Sequence, residues 1–162
     1  MLLYIIRHAH AGQHGDPRYP DDSLRPLTRK GMKQFRRVAK KLVKRGVAPT
    51  LVATSPLVRC RQTAEVLVDR LDVDAKLIEL SALSPGSDLE ALVKWSNEQA
   101  VDELAWVGHA PDLDKLTGAL IGGQESSIQL AKGAAAAIAF DNKIALGEGR
   151  LQWCVTPEIL GV

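Results

Sequence analysis

Short apolar runs alternate along this chain with stretches of helical periodicity. Leu2 to Ile6 is continuously apolar, the pattern of a strand buried on both faces of a parallel sheet. Thr50 to Thr54, Lys76 to Leu80, Glu103 to Val107, Ala134 to Phe140 and Leu151 to Val155 read as further strands. Between them, Met32, Phe35, Ala39, Leu42 and Val43 make an apolar helical stripe, with Thr28 as N-cap and Gly46 as the stop. Leu57, Cys60, Ala64, Leu67 and Leu71 make a second, with Ser55 placed to cap it and Pro56 at its first helical position. Ser87 and Glu90 have the spacing of a capping box ahead of Leu89, Leu92 and Val93. A fourth helix is expected from Pro111 through Leu113, Leu116 and Leu120, ended by Gly122 and Gly123. Strands alternating with helices predict a single α/β domain over residues 1–162.

One segment is long and irregular: Ala9 to Pro26, with Gly12, Gly15, Pro17, Pro20 and Pro26. It leaves the first strand, and in open α/β sheets ligands sit beyond the carboxyl ends of the strands. All four histidines, His8, His10, His14 and His109, lie just after a predicted strand or in the loop that one feeds. Arg7 and His8 end the first strand, Ser55, Pro56 and Arg59 follow the second, and Gly108, His109 and Pro111 follow the Glu103 to Val107 strand. With those strands as parallel neighbours, two Arg and two His converge at one sheet edge. Two guanidiniums suit a dianionic phosphoryl group, because each offers a planar fork of donors that matches its oxygens. The helix starts marked by Pro56 and Pro111 add free backbone N–H groups and the positive end of a dipole.

Composition narrows the class further. Over 162 residues, 46% are hydrophobic and 25% charged, which excludes a disordered or fibrous chain and is enough for a core without a disulfide or metal staple. Lys and Arg number 21 against 19 Asp and Glu, a net charge of +2 that gives little general field for nucleic acid. The exception is the run Arg29, Lys30, Lys33, Arg36, Arg37, Lys40, Lys41, Lys44 and Arg45 on the outer face of the first helix. Such a run is a solvated face, or a meeting surface for an acidic partner protein. Cys60 and Cys154 read as reduced, packed thiols. The first apolar run is too short for a signal peptide or a membrane span, so a cytoplasmic chain with neither membrane nor nucleic-acid partners is expected, monomeric by default.

The same residues carry a family resemblance. Arg7-His8-Ala9 resembles the Arg-His-Gly signature of the histidine phosphatase (phosphoglycerate mutase-like) superfamily. Asp22 to Gly31 (DSLRPLTRKG), Ser55 to Ala64 (SPLVRCRQTA) and Gly108-His109-Ala110-Pro111 are similar to that family's later blocks, in its order. The short length and the RPLT segment are most similar to the SixA-type phosphohistidine phosphatases. The resemblance implies a three-layer α/β/α sandwich with a mostly parallel central sheet. It implies that His8 is the nucleophile that takes the phosphoryl group as a phosphohistidine intermediate, with Arg7, Arg59 and His109 neutralising the phosphoryl oxygens. Arg25, oriented by Asp22, and Ser55 are candidate substrate-binding residues. The design requires no metal and no cofactor, and its substrate would be a phosphohistidine-bearing phosphotransfer or phosphocarrier protein. Covalent catalysis by His8 needs a neutral ring with its second nitrogen held by an acceptor.

The chain departs from the family pattern at two positions. Ala9 replaces the usual Gly, which would crowd a backbone that approaches phosphate closely or needs positive φ. His10 stands where SixA-type sequences carry Asp. A general acid is not evident: Glu79 is the first candidate, with Asp16 and Asp112 behind it. Its absence favours P–N cleavage, because imidazole leaves far more readily than an alkoxide. Three other readings remain open from the residues. They are a small-molecule phosphomonoesterase of the same superfamily, an inactive phospho-binding module, and a zinc hydrolase built on His8 and His10 with His14 or His109 and a carboxylate.

Overall fold

The computed structural model describes residues 1–122 and 128–162. Its strands are β1 (Leu2–Arg7), β2 (Leu51–Thr54), β3 (Lys76–Glu79), β4 (Glu103–Gly108), β5 (Ala135–Ala139) and β6 (Arg150–Val155), and its helices α1 (Arg29–Val43), α2 (Val58–Val68), α3 (Leu89–Asn97) and α4 (Asp112–Leu120). The six strands form one sheet in the order β3-β2-β4-β1-β5-β6. The β1–β4, β2–β4 and β2–β3 pairs are parallel, and β5 and β6 join antiparallel at one edge.

The sheet separates two apolar clusters, which is why β1 and β4 read as continuous apolar runs. On one face Tyr4, Ile6, Val52, Ala105 and Val107 pack with Phe35, Val38, Ala39 and Leu42 of α1 and with Cys60, Ala64 and Leu67 of α2. On the other, Leu3, Ile5, Ala53, Leu104 and Trp106 pack with Leu92 of α3 and Leu113, Leu116 and Leu120 of α4. The result is the expected three-layer α/β/α sandwich. Neighbouring strands β1 and β4 send their following helices to opposite faces. Such a divergence opens a crevice at the carboxyl edge, where α/β proteins bind ligands.

Several local expectations hold and others shift for identifiable reasons. Thr28 caps α1, its side chain accepting from Gly31 N, and Gly46 takes φ 87° beyond the end of that helix. Gly31 is required for a second reason: a Cβ there would overlap the His10 carbonyl, so α1 sits directly on the loop leaving β1. Ser55 does not cap α2 and Pro56 is not its first residue. Leu57 takes the N-cap position without a side-chain bond of its own, and Ser55 Oγ, 2.9 Å from His109 Nε2, accepts from Leu57 N at 3.4 Å. Leu71 lies past the end of α2 but packs on the same cluster. Asp88 rather than Ser87 caps α3, accepting from Ala91 N, while Ser87 Oγ donates to the Ser84 carbonyl. Pro111 is the N-cap of α4 instead of its first turn. Gly123, expected to help end α4, lies outside the described residues. Both cysteines are free, but Cys154 is exposed on β6 and only Cys60 is packed. No described helix is long and apolar enough to cross a membrane.

Candidate active site

Strand register brings the site together. Arg7 pairs with Gly108 across β1 and β4, so His8 and His109 are the next residues on adjacent strand ends. His8 N donates to the Gly108 carbonyl at 3.0 Å, and Ser55 N to the Val107 carbonyl at 2.9 Å, which extends the alignment to β2. The rings of His8 and His109 stand edge to face with centroids 5.3 Å apart. They lie in a cleft of about 380 Å³ with Arg7, Arg59, Arg25, Asp22, Asp112 and Lys132 on its walls. The uncapped start of α2 delivers Arg59 and that of α4 follows His109, so two helix N-termini face the same space.

The orientation of each group follows from its partners. His8 Nδ1 is 2.7 Å from the Ala9 carbonyl, which only accepts, so Nδ1 carries the proton and Nε2 keeps its lone pair. Arg7 Nη1 donates to the Leu130 carbonyl at 2.6 Å. Arg59 Nη1 donates to the Asp22 carbonyl at 2.8 Å and lies 3.2 Å from Asp22 Oδ2. Each guanidinium is thus anchored through one nitrogen. Arg7 Nε and Arg59 Nε are buried and have no acceptor among the described residues. Arg25, 7% exposed, donates from Nε to Asp22 Oδ1 at 2.8 Å and from Nη1 to the Ala11 carbonyl at 2.8 Å, as expected if Asp22 orients it. The bond from Arg25, with the Arg59 charge behind it, holds Asp22 down to about 2.

Other expected residues fall differently. Ser55 is fully buried beneath the cleft, its Oγ 2.9 Å from His109 Nε2, so it touches a histidine rather than the cleft surface. Glu79 ends β3 at the sheet edge and faces Arg61 at 3.6 Å, outside the cleft. Asp16 is paired with Arg18 at 2.7 Å and also stands outside it. Asp112 does line the cleft, where its Oδ2 accepts from Gly86 N at 2.9 Å. Ala9 has negative φ, since no non-glycine residue among those described is positive, and its methyl packs into the α1 and α2 cluster. The crowding expected of a side chain at this position therefore does not arise. His10 is exposed and 3.2 Å from Thr28 Oγ1, apart from buried His8, and no three His, Cys, Asp or Glu side chains converge as a metal would need among the described residues. Lys132, the Leu130 carbonyl and Thr63, whose Oγ1 accepts from Ala9 N at 3.1 Å, were not legible as site residues.

Burial pushes His8 down from 6.5 to about 3, with the neighbouring His109, Arg59 and Arg7 adding to the shift. Burial, then the Arg59 charge, brings His109 to about 4. Both rings are therefore neutral at physiological pH. An unfolded chain protonates them near 6.5, so the stability they confer is complete above 6.5 and is lost as pH falls from there toward 4 and 3. Unfolding free energies from urea titrations are expected to fall steeply between those limits, by up to about 2.7 kcal/mol per pH unit for two groups. His8→Asn should halve that slope; an unchanged slope would show that His8 titrates normally.

The fold and the site together define the class: the chain belongs to the histidine phosphatase superfamily (branch 1), whose family description matches residues 3–140. Among particular relatives, the phosphohistidine phosphatase SixA of Escherichia coli (strain K12) is 28% identical over 160 residues, covering 97% of this chain and 94% of that one. A solved structure of the protein histidine phosphatase SixA complexed with tungstate superposes with a TM-score of 0.85 at 28% identity, covering 99% of each chain. An uncharacterised protein of Picosynechococcus sp. (strain ATCC 27264 / PCC 7002 / PR-6) is 38% identical over 127 residues, 76% of this chain and 75% of that one. The chain is a SixA-like member of a phosphatase superfamily.

Proposed function

We propose that this phosphatase hydrolyses protein phosphohistidine through a covalent phospho-His8 intermediate and needs no metal to do so. The observation that carries the reading is the His8 ring, neutral and fixed as the Nδ1–H tautomer, in a cleft it shares with half-buried Arg7 and buried Arg59, whose Nε donors have no partner among the described residues. Arg7, Arg59 and His109 hold the phosphoryl oxygens and oppose the charge that builds on them. His8 Nε2 attacks phosphorus and the substrate's P–N bond breaks. Its electron pair leaves on the imidazole nitrogen, which takes a proton from water. A second water then attacks phospho-His8, the P–Nε2 bond breaks, phosphate leaves and the lone pair returns to Nε2. The tungstate complex of the similar SixA structure accords with a cleft built for tetrahedral oxyanions.

Ser55 has a positioning role in this scheme. Its Oγ hydrogen-bonds His109 Nε2 at 2.9 Å, which fixes the orientation of that ring. Phosphohistidine is favoured over an ester because both carboxylates that line the cleft already accept hydrogen bonds from the protein. Asp22 is held ionised by Arg25 and Arg59, and Asp112 ties down the turn at Gly86. An alkoxide leaving group would forgo the 10²–10⁴-fold that a general acid supplies, whereas imidazole leaves without it. The test is phosphate release, with EDTA throughout, from a histidine-phosphorylated phosphotransfer domain and from a phosphoserine peptide. EDTA-insensitive release with kcat/KM about 10²-fold or more in favour of the phosphohistidine is expected. Faster turnover of the ester would assign the site to phosphomonoesters, and loss of activity in EDTA would overturn metal independence.

A further inference from the structure

The outer face of α1 carries charge that nothing in the fold answers. No Asp or Glu occurs between Asp22 and Glu65. Arg37, Lys40, Lys41, Lys44 and Arg45 line one surface depression of about 430 Å³, and their spacing places them on one side of the helix and its C-terminal turn. None of the five meets a carboxylate among the described residues, where the ion pairs all lie elsewhere. Lys41 Nζ donates to the Leu160 carbonyl and Arg45 Nη1 to the Lys41 carbonyl, which leaves Arg37, Lys40 and Lys44 exposed and unengaged. Like charges four residues apart repel, so this face works against its own helix.

The charge also continues to the cleft. Thr28 at the N-cap donates from N and Oγ1 to the His10 carbonyl, and the charges of Lys30, Lys132 and Arg25 all bear on the His10 ring, Lys132 and Arg25 themselves standing at the rim of the cleft as lining residues. With 15 residues, α1 extends this strip roughly 22 Å from the rim. The one aromatic ring on the helix, Phe35, is buried, so the strip offers no stacking platform for single-stranded nucleic acid. No large apolar side chain of α1 is exposed to enter a bilayer. What remains is a long cationic surface leading away from a phosphatase cleft, which fits an acidic protein face.

We propose that the outer face of α1 docks an acidic surface of the protein that bears the phosphohistidine, so that its phosphoryl group reaches His8. The proposal rests on the phosphohistidine reading and adds the surface that selects the carrier. Its test is Lys40→Glu/Lys44→Glu, two exposed substitutions away from the cleft. The probes are a histidine-phosphorylated phosphotransfer domain of net negative charge and phosphoramidate, which offers the same P–N bond without a protein. The expected result is a KM for the domain raised about tenfold with kcat retained, and turnover of phosphoramidate unchanged. The wild-type KM for the domain should rise steeply with salt, and the variant's much less. An unchanged KM for the domain, or equal losses on both substrates, would overturn the proposal. Unchanged KM together with lost binding to anionic vesicles or DNA would do the same and reassign the face. If wild type hydrolyses phosphoramidate but leaves the domain untouched, the substrate reading fails. Docking is then judged by binding of the unphosphorylated domain, which the proposal requires to weaken about tenfold in the variant.

Discussion

His8→Ala is expected to abolish the phosphoenzyme and to cut phosphate release by about 10⁴-fold or more, because the covalent path has no substitute nucleophile. The structure makes the expectation specific. His8 is 7% exposed, its Nδ1 proton is committed to the Ala9 carbonyl, and only Nε2 is left to attack. His109 cannot take over, since its Nε2 is engaged by Ser55 and by Cys60 Sγ at 3.4 Å. The cradle itself survives the substitution, because Arg7 and Arg59 are anchored by Leu130 and Asp22 and not by His8. Inorganic phosphate binding should therefore persist in His8→Ala while acid-labile labelling from a radioactive phosphohistidine donor disappears. Labelling that survived on another residue would remove His8 from the nucleophile's role. Loss of phosphate binding together with loss of labelling would mean that the variant had damaged the cradle, and His8→Asn, which keeps a polar group beside the Ala9 carbonyl, separates the two.

Much of this arrangement was legible because β1, β2 and β4 are buried on both faces, and their apolar runs end where the first polar residues appear. Arg7-His8, Ser55 and Gly108-His109 mark those ends, so the convergence of two Arg and two His is written in the sequence itself. The helix starts were less legible because side chains there have competing partners. Ser55 sits two residues before the Leu57 N-cap of α2, and its Oγ accepts from Leu57 N instead, while Ser87 loses to Asp88, whose carboxylate reaches Ala91 N. Residues that arrive through antiparallel pairing were invisible. Lys132 and the Leu130 carbonyl reach the site because β5 runs beside β1 with Ile6 opposite Ala135, a register no local pattern announces. Glu79 misled for the opposite reason: it ends a strand beside β2, but β3 is the sheet edge and its carboxylate turns to Arg61. Ala9 also misled, since the bend after His8 is made without positive φ and its methyl is received by the core beneath α1.

Arg59→Ala is the second substitution with a large expected effect, a loss of about 10²–10³-fold in kcat/KM, the range for removing one preorganised donor group from a developing oxyanion. The side chain is 5% exposed and its Nη1 is fixed by two oxygens of Asp22, the carbonyl at 2.8 Å and Oδ2 at 3.2 Å. That anchoring leaves the Nε donor without a partner among the described residues. Lysine can supply a charge but cannot be held by Asp22 and donate to two phosphoryl oxygens as a rigid plane, so Arg59→Lys should recover little of the loss. Guanidinium added to Arg59→Ala should recover more, because it restores the planar fork even without the side chain. Near-full activity in Arg59→Lys would show that only charge matters here and would reduce Asp22 to a surface partner. Asp22→Asn provides the converse measurement. With the carboxylate's charge removed and the Asp22 carbonyl still accepting from Nη1, the fork is held less firmly but keeps its own charge, so activity should fall less than in Arg59→Ala and phosphate should still bind. The difference between those two variants measures how much of the catalysis comes from having the guanidinium and how much from aiming it.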